Sequence, residues 1–498
     1  MDSKTLAVIA VIAVVAVGGG VAAFFLLNSD KPNSSDPYED IKYEFRSYDH
    51  TIDDNITLPT YYEDSYFAKK STEKNPELMS FALCLQLSSG LAADDPKDKP
   101  VSVLKLLKDI GCSKVYANDA YYEESTLLSV DVAVGAKKYD KDTTIIFLVP
   151  NGTHYSTQFA SNLLVGENGP HAGFSKAAQT ALFALKDFIR DEGITGDVKL
   201  LITGYSRTAA ACNILTAYIS DSIVNGTVKQ DIGNINLTID SVYGFCFETP
   251  YCGYPDPSTG VGPTDSRYDN IWYTVNPADL VTYVPPESYG FIRYGNMVTL
   301  PSEDMEKKDT MVKIVKKLCP KETAAAVNLP EFAVLDDSIA TPKKMVKGLV
   351  ELFFKAVGDR EYYSQNIELD VSMALYSLMC HPGMMKSIID EFGGYIDMIL
   401  LIYVYCGTED FDEYITPYVQ NVTEDYGCKG DTDEIVGALD EIGQAFKRLI
   451  EKPTELLHNL SPPTLALPKN YKYPITSHFP AMTLGYVVQD DPHYDIYR

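Results

Sequence analysis

Residues 198–202 read Val-Lys-Leu-Leu-Ile, and the chain continues as Thr203-Gly204-Tyr205-Ser206-Arg207 into Thr208-Ala209-Ala210-Ala211. An apolar strand, a Gly-x-Ser turn and a helix of small residues follow one another without a spacer. This order constrains the fold more than any other feature. It is the setting of a nucleophile elbow, in which a sharp strand-to-helix turn strains the serine backbone and requires small neighbours. The helix start then aims backbone N–H groups at negative charge developing beside the serine. Gly-x-Ser alone is an ordinary turn, so the strand before it and the helix after it carry the weight. Ser206 is therefore the candidate nucleophile. The pattern departs at Thr208, where glycine is usual.

The rest of the first three hundred residues fits a sheet around that turn. Residues 127–136 and 143–149 read as strands, and the second is continuously apolar, as expected of a strand covered on both faces. Further strands are predicted at 236–246 and 271–275. Helical spacing appears at 76–90, 101–109, 174–190 and 207–220. Alternating strands and helices predict an α/β fold with a mostly parallel central sheet. After residue 300 the pattern becomes helical, at 303–318, 342–357, 370–404 and 432–458. The proline-rich stretch 461–474 then returns the chain to the core. The expected organisation is an anchor at 1–28, a linker at 29–58, a core at 59–302, a helical insertion or cap at 303–462 and the rest of the core at 463–498.

Leu6 to Leu27 holds no charged or strongly polar side chain. As a helix the run extends roughly 33 Å, enough to cross a bilayer core. A cleaved signal peptide is the rival reading. Val21-Ala22-Ala23 offers a small-residue site, but Phe24-Phe25-Leu26-Leu27 carries the apolar run past it. The amino terminus with Lys4 keeps a small positive excess beside Asp2, which predicts an N-terminus that stays inside and a catalytic domain outside. Seven Asn-x-Ser/Thr sequons, at Asn33, Asn55, Asn151, Asn225, Asn236, Asn421 and Asn459, agree with an exterior location.

A net charge of -27 repels a phosphate backbone and argues against nucleic-acid binding. The nine cysteines lack the spacing of a zinc or redox motif. Cys246 with Cys252, and Cys406 with Cys428, are near enough in sequence to pair outside the cytosol. No metal or organic cofactor is implied, and the oligomeric state is left open.

Several segments in order resemble the class 3 lipase family, α/β-hydrolases related to fungal triacylglycerol lipases. The resemblance covers roughly 60–295 and 470–490. Ile145 to Thr153 looks like the family strand ending in Arg-Gly-Thr or Arg-Gly-Ser, with Asn151 where the arginine usually stands. His171-Ala172-Gly173-Phe174 looks like His-x-Gly-Phe, and Val242-Tyr243-Gly244-Phe245 resembles the strand after the elbow. Asn276-Pro277-Ala278-Asp279-Leu280-Val281 resembles the segment carrying the acid, and Ser477 to Tyr486 the one carrying the base. The resemblance implies Ser206 as nucleophile, Asp279 as acid and His478 as base. It also implies oxyanion donors in the backbone N–H groups of Thr153 and Arg207. The order Ser, Asp, His is the one such hydrolases use.

The residues support the same choice without the family. A base following the acid leaves His381, His458, His478 and His493. The first and second fall in the helical insertion, and His493 lies in the last six residues, where fraying is common. Asp279 follows a predicted strand more directly than Asp256, Asp265 or Asp269; its bland alternative is a turn or cap aspartate. His154 and His171 read as structural.

These features point to a membrane-anchored, extracytoplasmic serine ester hydrolase of lipase or esterase type acting on an ester or lipid. Two alternatives stand beside it. One is a catalytically decayed surface-binding module, favoured by Asn151 and Thr208. The other is a serine peptidase or thioesterase on the same scaffold, since fold does not determine substrate.

Overall fold

The computed structural model describes residues 36–49, 54–90, 101–118, 130–151, 158–255, 260–319 and 477–498, together with 358–369 and scattered helical positions between 343 and 444. The run 6–27 lies outside them. Among the described residues no helix is long and apolar enough to cross a membrane. His154, His381, His458, Thr153, Asp256 and the pair Cys406 and Cys428 also lie outside the described residues.

The core is an α/β fold. Its mixed sheet has the strand order β10-β9-β8-β6-β5-β4-β3, with β7 paired to β6. The strands are β3 (Lys114–Ala117), β4 (Asp131–Lys138), β5 (Thr143–Asn151), β6 (Gly196–Tyr205), β7 (Ile235–Asn236), β8 (Val242–Phe247), β9 (Ile271–Val275) and β10 (Asn296–Thr299). From β5 through β10 neighbouring strands run parallel, while β3, β4 and β5 pair antiparallel. The mostly parallel sheet expected from continuous apolar strands is present.

Period-two alternation divides the side chains of these strands between two cores. Ile145, Phe147 and Val149 of β5 join Leu201 of β6 and Tyr243, Phe245 and Phe247 of β8 in one cluster. Ile146, Leu148, Leu200, Ile202 and Val242 face the other. Helices α3 (Ala172–Asp191) and α4 (Arg207–Asn225) cover that second face through Ala177, Ala181, Leu185, Cys212, Leu215 and Ile219. Helices α1 (Pro76–Leu87), α2 (Val101–Asp109), α5 (Met305–Leu318) and α7 (Pro480–Val487) cover the first. A fully buried Leu, Ile or Phe is worth about 1.5–3 kcal/mol over an exposed one, so a sheet covered on both faces is strongly preferred for these strands.

Two expectations about organisation change. Strands β1 (Lys42–Asp49) and β2 (Asp54–Tyr61) pair antiparallel, with Lys42 opposite Tyr61. The core therefore begins inside the stretch read as a linker to residue 58. Phe45 and Leu58 are buried in the first cluster, while polar residues and Pro59 break the apolar pattern. Helix α5 was expected to open the insertion. Its Met311, Ile314, Val315 and Leu318 instead lie in the core, packed with Met482 and Leu484 of α7. Beyond α5, helix α6 (Arg360–Asn366) is tied to the loop before α3. Arg360 donates to Gly166 O at 2.6 Å and Gly169 O at 2.8 Å, and Glu368 accepts from the Val165 and Gly166 N–H groups.

Cys246 and Cys252 are buried thiols and form no disulfide with each other. Asn151 is buried at the end of β5, so its sequon is closed to a glycan in the folded chain. The sequon asparagines Asn225 and Asn236 are exposed.

Candidate active site

The parallel strands β5, β6, β8 and β9 end on one side of the sheet, and Asn151, Ser206, Glu248 and Asn276 stand at or just past those ends. Ligands of open α/β sheets bind in this place, outside the carboxyl ends of the strands.

Ser206 occupies the joint between β6 and α4 with φ 55° and ψ −121°. For a residue with a side chain this is a strained conformation, costing about 1–3 kcal/mol, and the surrounding contacts must enforce it. Three of them do. Ser206 N–H donates to Phe247 O at 2.9 Å, which pins the turn to the end of β8. Ser206 O accepts from Ala210 N–H at 3.1 Å, the first bond of the helix. A Cβ on Gly204 would lie 2.4 Å from Thr208 O, so only glycine lets helix and strand approach this closely. Thr208 itself fits: its hydroxyl accepts from Tyr205 N–H at 3.1 Å and donates to Tyr205 O at 3.0 Å. The off-pattern threonine stitches the turn together from within.

Ser206, His478 and Asp279 come together. Ser206 Oγ is 2.8 Å from His478 Nε2, and His478 Nδ1 is 2.6 Å from Asp279 Oδ2. The members of this array are far apart in sequence: His478 lies 272 positions from Ser206 and 199 from Asp279. The hydrogen-bond pattern assigns the proton on Nδ1 to the bond with Asp279, leaving Nε2 to accept from the serine hydroxyl. Asp279 is wholly buried, and its other oxygen accepts from Val281 N–H at 2.8 Å. The histidine loop is held from two sides. Tyr205 OH donates to His478 O at 2.6 Å, and Asn276 Nδ2 donates to Ser477 O at 3.0 Å.

Arg207 opens α4, so its backbone N–H stands in the first turn beside Ser206. Its side chain is buried and donates through Nη2 to Ser161 Oγ at 2.9 Å. Burial pushes the guanidinium down to about 10, partly countered by the charge of Asp131. Thr153, the second expected oxyanion donor, lies outside the described residues.

The remaining candidates have other roles. His171 caps α3, accepting from Phe174 N–H at 3.3 Å, and burial pushes it down to about 3, which keeps it neutral. Asp265 caps the turn Ser266–Tyr268 and pairs with Arg267 at 3.2 Å. The Asp269 carbonyl accepts from Asn296 Nδ2. His493 is not frayed: it is buried, with Nδ1 2.7 Å from Asp491 Oδ1 and its ring stacked on Tyr61.

Sequence reasoning missed Glu248. This residue follows β8, is wholly buried and has φ 49°. Its Oε2 accepts from Asn276 N–H at 2.9 Å and its Oε1 from Thr483 Oγ1 at 3.1 Å, and it interacts directly with Asp279. The available signal was a glutamate continuing the otherwise apolar strand 242–247 with no break.

No protein family profile matches the chain, and no curated protein matches it. Among solved structures the chain is similar to lipase II from Rhizopus niveus, at 16% identity and TM-score 0.27, over 47% of this chain and 80% of that one. It is also similar to the Rhizomucor miehei lipase propeptide complex, at 15% identity and TM-score 0.29, over 48% and 67%. For M37 lipase the identity is 12% and the TM-score 0.31, over 74% and 98%. Similarities this low carry no weight for function, and membership of the class 3 lipases stays a resemblance of motifs.

Proposed function

We propose that this protein is a serine carboxylic-ester hydrolase of lipase or esterase type. One observation carries the proposal: the hydrogen-bonded array of Ser206, His478 and Asp279, with the serine held at a positive-φ turn before a helix. In this reading Ser206 Oγ attacks the ester carbonyl carbon while His478 Nε2 takes its proton. The negative charge moves to the carbonyl oxygen, beside the N–H of Arg207, with the Thr153 N–H as the second donor that the motif resemblance implies. The bond to the alkoxy oxygen then breaks, and His478 returns the proton to the leaving alcohol. Water repeats the sequence on the acyl-enzyme and releases the acid. Asp279 holds the imidazole and balances its charge. The chemistry needs no metal and no organic cofactor.

The substrate is an ester, with lipid esters the leading class. A cap within 320–476 is proposed to set acyl length; of that stretch, Arg360 and Glu368 bond to the loop before α3. Hydrolysis of an ester series of increasing acyl length tests this. A maximum at one length, with Ser206→Ala inactive on every member, supports the reading; amide or thioester turnover in place of ester turnover overturns it.

The run 6–27 is proposed as a single membrane anchor, with the catalytic part outside the cytoplasm. The full chain is expected in the membrane fraction and a chain lacking residues 1–28 in the soluble fraction. Equal partitioning of the two would remove the anchor from the account.

A further inference from the structure

We propose that Glu248 is a positioning residue of the Ser206 site: it carries a proton whose hydrogen bond to Asp279 keeps that carboxylate, the one anion of the pair, aimed at His478. The inference rests on the hydrolase reading for its kinetic consequences, while the protonation itself is read without turnover.

Among the described residues two non-glycine positions have positive φ, and they are Ser206 and Glu248. They follow neighbouring parallel strands, and Ser206 N–H bonds to the carbonyl of Phe247, next to Glu248. Strain of this kind persists where surrounding structure enforces it, and it gathers at functional sites. The positive φ turns Glu248 inward past the end of β8, where both it and Asp279 are wholly shielded from solvent.

Glu248 reaches the Asp279 segment through Asn276, and two buried carboxyl groups that interact there strongly disfavour a second charge, because desolvation and mutual repulsion add. The donors decide which one holds the proton. Asp279 takes an N–H on each oxygen, from His478 on one and from Val281 on the other, and protonating it would break one of these bonds. In Glu248, Oε2 is committed to Asn276 N–H, whereas Oε1 meets the hydroxyl of Thr483. That hydroxyl is also 3.0 Å from Tyr205 OH and can rotate. Oε1 can therefore bear the proton. Burial, and then the charge of Asp279, hold the Glu248 carboxyl well above the usual carboxylate range, consistent with this placement.

The titratable groups around Glu248 come from three elements. Asp279 lies after β9, Tyr205 ends β6, and His478 and Tyr486 belong to the C-terminal segment. No lysine or arginine pairs with Glu248 among the described residues, so no cation offsets a second negative charge there. The same network links Asn276 to Ser477 O and Tyr205 to His478 O, so Glu248 braces both the acid and the loop carrying the base.

The test uses the full chain and two variants. Glu248→Leu removes the brace, and kcat is expected to fall about 10–100-fold with KM unchanged, by analogy with the loss of a partner that orients a metal-ligating side chain. Glu248→Gln keeps a donor toward Asp279 and an acceptor toward Asn276, so it is expected to restore most of that loss. It should also leave the acid limb of the kcat/KM profile in place. Difference infrared spectra at neutral pH are expected to contain the carbonyl band of a protonated carboxylic acid in the wild type, missing from Glu248→Gln. An acid limb displaced to lower pH in Glu248→Gln, or identical spectra for wild type and variant in that band, would overturn the proposal. If Ser206→Ala leaves hydrolysis intact while the infrared band is present, the hydrolase reading fails and the protonated Glu248 stands.

Discussion

Among the described residues, two buried Asp–His pairs have nearly equal geometry. His478 Nδ1 lies 2.6 Å from Asp279, and His493 Nδ1 lies 2.7 Å from Asp491. Both histidines are almost hidden from solvent. The far nitrogens distinguish them. Nε2 of His478 faces a serine hydroxyl at 2.8 Å on a strained strand-to-helix turn. Nε2 of His493 faces the phenol of Tyr66 at 3.5 Å, amid Tyr38 and Tyr61. Burial and a carboxylate partner are thus compatible with pure packing. The serine hydroxyl, the helix start beside it and a second carboxyl behind Asp279 separate a candidate reaction site from a clasp joining the C-terminal segment to strands β1 and β2.

Replacing each aspartate by asparagine sharpens the comparison most. Asp279→Asn leaves the shape but lets the imidazole adopt the wrong tautomer, and kcat is expected to fall about 10⁴-fold. Asp491→Asn is expected to leave kcat/KM unchanged and lower unfolding stability by roughly 1–3 kcal/mol, the cost of spoiling one buried hydrogen bond. Steady-state kinetics and urea unfolding on both variants check this. An activity loss in Asp491→Asn matching that in Asp279→Asn would erase the distinction.

A smaller effect separates His493 from His171 by sign. Burial disfavours the charged form of His493, but the hydrogen bond and charge of Asp491 outweigh it and raise its pKa. Its contribution is therefore present below the unfolded value, about 6.5, and is lost as pH rises through the folded value. His171 is the reverse: burial lowers it to about 3, so its contribution is present above the unfolded value and lost as pH falls. Between those two pH values its neutral state favours folding with a slope of about 1.4 kcal/mol per pH unit. Unfolding at a series of pH values is expected to show a flatter acid side in His171→Asn, whose asparagine can still cap α3. In His493→Gln the flattening should fall on the neutral-to-alkaline side. Flattening on the same side in both variants would contradict the assignment.

The parts legible in the sequence share one physical basis. Strands β5, β6 and β8 are covered on both faces, so their runs are largely apolar, interrupted in β6 by Lys199; α2 and β9 begin and end where the periodicity places them, while 236–246, expected as one strand, is β7, the turn Ile239–Ser241 and β8. The elbow was legible because strand, turn and helix chemistry coincide over a few residues. The pair β1–β2 was not, because one-sided burial leaves a mixed pattern in which Pro59 reads as a break. Strands β3 and β10 are short and only partly buried, so they carried little signal. Helix α5 reads as amphipathic in either place, and periodicity cannot say whether its apolar face meets the sheet or a cap. His493 lies near the terminus, yet beyond its neighbour Asp491 its ring packs among Tyr38, Tyr61 and Tyr66, contacts that local pattern does not reveal. Glu248 was missed for the same reason: its meaning depends on Asp279 and Thr483, far away along the chain.

The most direct measurement of the central claim is labelling of the full chain with a fluorophosphonate probe, followed by mass spectrometry of the modified peptide. The adduct is expected on Ser206, absent in Ser206→Ala, strongly slowed in His478→Ala and undiminished in His493→Ala. Equal labelling of wild type and Ser206→Ala would contradict the account.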